Sequence, residues 1–281
     1  MTSFFHRSTS FLVAGGAVLS SWAAMGANAL ALTEAQILEQ LNTIPVFTIT
    51  NQRGIPYVAT IPSGTEDENP TVVTEVFISH EDAEASLDLL RETNPAFVAD
   101  SQVTPVSLAK IYQVALMGRE AENPLEFLFV PIVEEVEFAL TLLPNQTNES
   151  AGVPLFMVSS ETPSEDADVA VEDDVAADPE SGDEISLLTL QQGGEEIVPL
   201  FFQREQFSGI LDDIAEKQPD FAANLELRVI WLEDFIGILE KTDETDEDIQ
   251  QYRMMPIQES LDFAGSFTPT APEAPATAPT P

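Results

Sequence analysis

Along the chain, alternating or continuous apolar runs are separated by stretches in which apolar residues return every three or four positions. Thr33 to Leu41 reads as a short helix, with Thr33 as cap, Gln36 three residues on, and Ile37, Leu38 and Leu41 as the apolar face. Pro45 to Thr50 and Ile55 to Ile61 read as a β-hairpin around Asn51-Gln52-Arg53-Gly54. A polar loop, Ser63 to Pro70, leads into the strand Val72 to Ile78. Ser79 then caps a helix with Asp82 at the capping-box position, and Asn94-Pro95 stops it. Ala83, Leu87 and Leu90 line one face, and Phe97, just past the stop, is placed to pack back under it. A strand near Val103 precedes a second helix bearing Leu108, Ile111, Tyr112 and Ala115. Phe127 to Leu143 reads as a closing strand, because Val136, Phe138 and Leu140 alternate.

The same pattern returns. Phe77 to Tyr112 aligns without a gap on Phe201 to Ile236, at an offset of 124, with nine identities in 36 positions. About two are expected by chance at average composition. The shared pairs include Phe77 and Phe201, Leu87 and Leu211, Pro95 and Pro219, Phe97 and Phe221, and Leu108 and Leu232. At offset 125, Pro131, Ile132, Glu134, Phe138 and Ala139 meet Pro256, Ile257, Glu259, Phe263 and Ala264. Pro45, Phe47 and Ile49 are answered upstream by Pro154, Phe156 and Val158. These matches predict an α/β fold, a mixed β-sheet with helices packed on it, built from two tandem repeats related by a pseudo-twofold axis. The repeats span 32–143 and 144–267 and are expected to form one domain.

The copies differ in one place. A four-residue turn opens the first, whereas Ser159 to Glu184 occupies that site in the second. Eleven of the 24 residues from Glu161 to Glu184 are acidic, so 160–184 is expected to be a disordered loop. Its spacing matches no EF-hand. The tail 268–281 holds five prolines among Thr and Ala and reads as an extended spacer or disorder.

The first 31 residues read as a cleaved signal peptide. Arg7 precedes an apolar, small-residue stretch, and Ala27-Asn28-Ala29 and Ala29-Leu30-Ala31 are both small-x-small sites, so cleavage falls after Ala29 or Ala31. A membrane anchor is the alternative, but Gly15, Gly16 and nearby serines interrupt a short stretch. The expected location is the periplasm, with the thylakoid lumen as second choice, and no stable membrane insertion after cleavage. Nine basic residues then face 49 acidic ones. That balance repels phosphate at every approach and argues against nucleic acid as a partner. The chain contains no cysteine, so an exported form depends on its core without disulfides.

Catalytic motifs are hard to find. His80 is the one histidine beyond the leader; at the start of a helix, where the second copy has Arg204, it reads as a solvated residue and not a base. No catalytic set, cofactor or metal site is expected, since common zinc and thiol sites cannot be built from one His and no Cys. Glu134, Glu135 and Glu137 read as charges on an edge strand, with glycosidase-type acid/base chemistry as the alternative. Dense apolar runs, Leu200-Phe201-Phe202, Phe127-Leu128-Phe129-Val130 and Met254-Met255, read mostly as core. The two related helix pairs also predict apolar grooves, with Tyr112, Leu116, Met117, Ile236 and Leu239 as the candidate lining.

Ile44-Pro45-Val46-Phe47-Thr48-Ile49-Thr50, Val76-Phe77-Ile78-Ser79 leading into Glu81-Asp82-Ala83, and Val103-Thr104-Pro105-Val106-Ser107-Leu108 resemble the Tic twenty-two-kilodalton component family. That family comprises chloroplast protein-import components and cyanobacterial relatives, and the resemblance runs from Leu32 to Phe267. It implies an α/β structure with apolar grooves and an ATP-independent chaperone or escort role for precursor proteins crossing the envelope. The implied partners are unfolded or precursor polypeptides and an outer-membrane β-barrel assembly protein. A non-chaperone adaptor of an envelope translocon is the alternative, and an extracytoplasmic carboxylate-dependent hydrolase the third reading.

Overall fold

The computed structural model describes residues 33–61, 70–119, 121, 124–143, 145–147, 151–162, 184–241 and 247–268. The expected signal segment, the acidic residues 163–183 and the tail from 269 onward lie outside the described residues. Helix α1 (Glu34–Asn42) opens with a complete capping box: Gln36 Oε1 accepts the Thr33 amide, and Thr33 Oγ1 accepts the Gln36 amide. Strand β1 (Pro45–Asn51) follows and ends in a turn where Gly54 takes φ +72° and Asn51 Oδ1 accepts from the Arg53 and Ile55 amides.

The expected hairpin forms only at its turn, where the Asn51 amide donates to the Ile55 carbonyl. Residues 55–61 touch β1 through a Thr50–Pro56 bridge and the Tyr57 amide on the Ile49 carbonyl. Beyond Ile49 that edge of β1 is taken by β3 (Thr71–Phe77), with Phe47 opposite Phe77, and β2 (Ala59–Ile61) pairs with β3. Helix α2 (His80–Thr93) begins at Ser79, whose hydroxyl accepts from the Asp82 amide, and is capped at Asn94 as predicted. Phe97, however, is 60% exposed and meets Tyr57 edge-on, because the Asn94–Asp100 turn carries it outward. Then come β4 (Ser101–Ser107), α3 (Leu108–Gly118), β5 (Leu125–Val130) and α4 (Val133–Leu142).

The second half follows a similar order, with no helix before its first strand and with additional short elements. It contains β6 (Pro154–Thr162), β7 (Glu184–Leu187), β8 (Leu190–Gln192), β9 (Glu195–Phe201), α5 (Glu205–Lys217), the short α6 (Pro219–Ala222), β10 (Leu225–Trp231), α7 (Leu232–Lys241), α8 (Glu247–Gln251), β11 (Tyr252–Met255) and α9 (Gln258–Ser266). Both ends of the expected 160–184 loop are strand, since β6 and β7 pair from Ser159–Leu187 to Thr162–Glu184. The α/β architecture holds, with the strands divided between two mixed sheets. One runs β4-β1-β3-β5 and the other β10-β6-β9-β11; in each, only the last pair is parallel. Phe47 sits opposite Phe77 in one sheet, and Phe156 opposite Phe201 in the other.

The expected closing stretches, Phe127 to Leu143 and its counterpart Arg253 to Phe267, are strand only at their starts, in β5 and β11, and helix beyond. In α4, Glu135, Phe138, Ala139 and Leu142 turn inward, a spacing of three and four, and in α9 Ser260, Phe263, Ala264 and Phe267 occupy the same spacing. The alternation of Val136, Phe138 and Leu140 coexists with this longer period, and packing favours the helical one. Each of these helices crosses to the opposite half. From the first half, α4 lies on β6 and β10, with Phe138 5.7 Å from Phe156. From the second, α9 lies on β1 and β4, with Phe263 5.6 Å from Phe47. A central core unites Val46, Val76 and Leu108 with Leu155, Leu200 and Leu232.

The crossing helices predict unequal costs for two phenylalanines that look alike in sequence. Phe263→Ala removes the ring covering Phe47 and is expected to destabilise the fold by roughly 2–4 kcal/mol in urea titration. Phe97→Ala, at an exposed turn, is expected to cost less than about 1 kcal/mol.

Candidate functional site

A cleft of about 530 Å³ opens between α3, β5 and α7, so both halves contribute to it. Helix α3 starts where Ser107 accepts from the Lys110 amide, which ends β4 and turns Leu108, Ile111 and Tyr112 toward the core. Helix α7 follows β10 directly, and its Ile236 and Gly237 form the opposite wall. The floor is β5, an edge strand whose only strand partner among the described residues is β3.

Strand geometry determines what that edge presents. The Val130 carbonyl accepts from the Ile78 amide, so the backbone groups of Glu126, Leu128 and Val130 point toward β3. Those of Leu125, Phe127 and Phe129 therefore point away from the sheet. The side chains of these same three residues line the cleft, half-buried, and the exposed Glu126 lines it too, while Leu128 is exposed outside it. Apolar rings and outward backbone donors and acceptors thus share one ledge.

One end of the cleft is polar. The Tyr112 hydroxyl donates to Glu240 Oε1 at 3.0 Å, and Arg119 Nη2 donates to the same oxygen at 2.5 Å. The pair ties α3 to α7 across the two halves. Burial, then the hydrogen bond to Glu240, pushes the Tyr112 phenol up to about 12. Nearby, Glu233 is exposed as a residue, but its carboxylate rests against Gly152 and accepts from the Val153 amide at 3.4 Å. Burial raises its pKa. A Cβ at Gly152 would approach that carboxylate to 2.4 Å, so glycine is what admits it.

Of the five candidate lining residues, the structure brings two to the cleft, Tyr112 and Ile236. Leu239 is fully buried in the central core, where the inward face of α7 places it, and cannot line a groove. Leu116 packs half-buried on that core, and Met117 is 65% exposed beyond the cleft. Phe127 and Phe129, read as core from their dense apolar run, pack half-buried on the central core and also form the floor. Arg119 and Glu240 carried no signal, being 121 residues apart in sequence.

The acidic candidates fall elsewhere. Glu134 and Glu135 lie in the first turn of α4, so the edge-strand reading fails with the strand. Glu135 is 3% exposed and ion-paired with Arg204 Nε at 3.1 Å, and the Arg204 guanidinium stands 4.5 Å over the Phe138 ring. Burial raises the Glu135 pKa and Arg204 opposes that rise. This oxygen is engaged by a cation and not by a second carboxylate. His80 is half-buried and stacks on Phe263 at 4.7 Å, which replaces the solvated position expected of it.

The tyrosine has a measurable consequence. A phenol that ionises higher in the folded state than its ordinary value near 10 binds more protons there than in the unfolded chain, so stability falls between pH about 10 and about 12. Tyr112→Phe is expected to flatten that part of the stability–pH profile and to remove a phenolate absorbance step near pH 12.

None of the curated proteins compared with the chain matches it. Among solved structures it resembles the Tic22 of Anabaena, a protein described by the words protein transport, with 24% identity and a TM-score of 0.66 over 84% of this chain and 98% of that one. It also resembles Tic22 from Plasmodium falciparum, with 22% identity and a TM-score of 0.55 over 81% and 94% of the two chains. These likenesses establish the fold. The model of the Tic22-like family matches residues 10–262, nearly the whole chain, and the protein belongs to that family.

Proposed function

We propose that this protein is a periplasmic, ATP-independent chaperone or escort for precursor polypeptides, working with the outer-membrane β-barrel assembly or translocation machinery. The observation that carries the proposal is the β5 ledge. Phe127 and Phe129 offer apolar contact, and the outward backbone of the same residues offers hydrogen bonds to an extended chain laid alongside. Every polypeptide has that backbone, so such a site binds many sequences. The link to transport follows the Anabaena relative. Among the described residues no helix is long and apolar enough to cross a membrane. A large negative net charge, −39 over the full sequence, would keep complexes with apolar clients dispersed.

The duplication belongs to the same proposal. We read the shared strand order of the two sheets as two copies of one unit about a pseudo-twofold axis. With α4 and α9 exchanged, the two copies build one domain.

The test is light scattering of a denatured outer-membrane β-barrel client diluted with and without the protein. Suppression is expected at stoichiometric ratio, and Ile236→Asp, on the cleft wall, is expected to weaken it at least about tenfold by placing a charge against the apolar ledge. No suppression by the unaltered protein would overturn the chaperone reading. If it then bound a folded periplasmic module of the assembly protein, the adaptor reading would replace it.

A further inference from the structure

The helix exchange brings the first turn of α9 against the first turn of α2. There His80, Glu81 and Glu259 each offer one ligand atom, all within 4.8 Å of one another. The imidazole is held in place by its neighbours: it stacks on Phe263 with an interplanar angle of 18° and meets Phe47 edge-on at 5.8 Å. Both glutamates are exposed, which leaves room for an ion and its waters.

The other half shows what this junction requires. There Arg204 occupies the position of His80, Phe138 that of Phe263, and the crossing helix α4 supplies Glu135 to the guanidinium. A cation between the helix start and the crossing helix is thus part of the second junction. The first junction keeps the ring but has Ser260 at the position of Glu135; its carboxylate, Glu259, stands at the position of Glu134, and imidazole replaces guanidinium. Guanidinium has no lone pair to give a metal, whereas neutral imidazole does.

We propose that His80, Glu81 and Glu259 bind a divalent first-row transition ion of the Zn²⁺ type, with water completing its shell. The ion clasps α9 to α2 as Arg204 clasps α5 to α4. One imidazole nitrogen with two carboxylate oxygens is a borderline donor set that suits zinc, whereas calcium and magnesium take oxygen alone.

The experiment is Zn²⁺ titration calorimetry on the chelator-treated full chain, beside His80→Arg and Glu259→Gln. His80→Arg installs the residue the second half already uses, so it is expected to fold while losing one equivalent of Zn²⁺. Glu259→Gln is expected to weaken the same equivalent at least about tenfold. Zn²⁺ is expected to raise the melting temperature of the unaltered chain and of neither variant. Coincident isotherms and melting shifts for all three, as scattered acidic residues alone would produce, overturn the proposal. So does the absence of Zn²⁺ binding by the unaltered chain.

Discussion

The contact on which the structure depends is a phenylalanine from one half set over a phenylalanine of the other. Phe138 covers Phe156, and Phe263 covers Phe47, at nearly equal centroid distances of 5.7 and 5.6 Å. Phe47 and Phe156 are the fully buried centres of their sheets, and the rings that seal them arrive on crossing helices. A half without its partner's helix would leave that ring in water, at a cost of roughly 1.5–3 kcal/mol for the side chain alone. Exchange therefore makes folding of the two halves mutually dependent, without any disulfide.

The same exchange positions the cleft. With α4 and α9 on the outer surfaces of the opposite sheets, the inner surfaces are free to share one core through Val46, Leu108, Leu155 and Leu232. That core sets α3 beside α7, and the Tyr112–Glu240–Arg119 cluster bonds them at one end. Strand β5 follows α3 and, among the described residues, has β3 as its one strand partner, so its other edge lies at the foot of the helix pair. An open strand edge is ordinarily an aggregation hazard. Here α3 and α7 form a wall above it, which turns a hazard into a bounded surface.

Much of the core was legible in the sequence. The punctuation of α2, Ser79 and Asn94-Pro95, acts through local chemistry, and local chemistry survives any tertiary context. The strands β1, β3, β4 and β10 followed from apolar patterning, and the family strings fall on β1, the end of β3 and β4. The two short terminal helices were misread because ten residues carry both a period of two and a spacing of three and four. Phe138 satisfies both patterns, and only Phe156 on the opposite sheet selects one. Leu239 and Ile236 both looked like groove residues on one amphipathic helix, but the face each occupies depends on where the partner half sits.

The sequence by itself determined much of the element order short of the closing helices, the apolar positions that recur at the two offsets, the acidic balance and the family strings. Local propensity and side-chain type dictate these before any distant contact forms. Tertiary structure alone decided which half each terminal helix covers, which of two rows of phenylalanines faces a cleft, and which residue meets Glu240 or His80. Those partners are separated by more than a hundred residues, and spacing along a chain carries no information about a contact that the packing of two sheets creates.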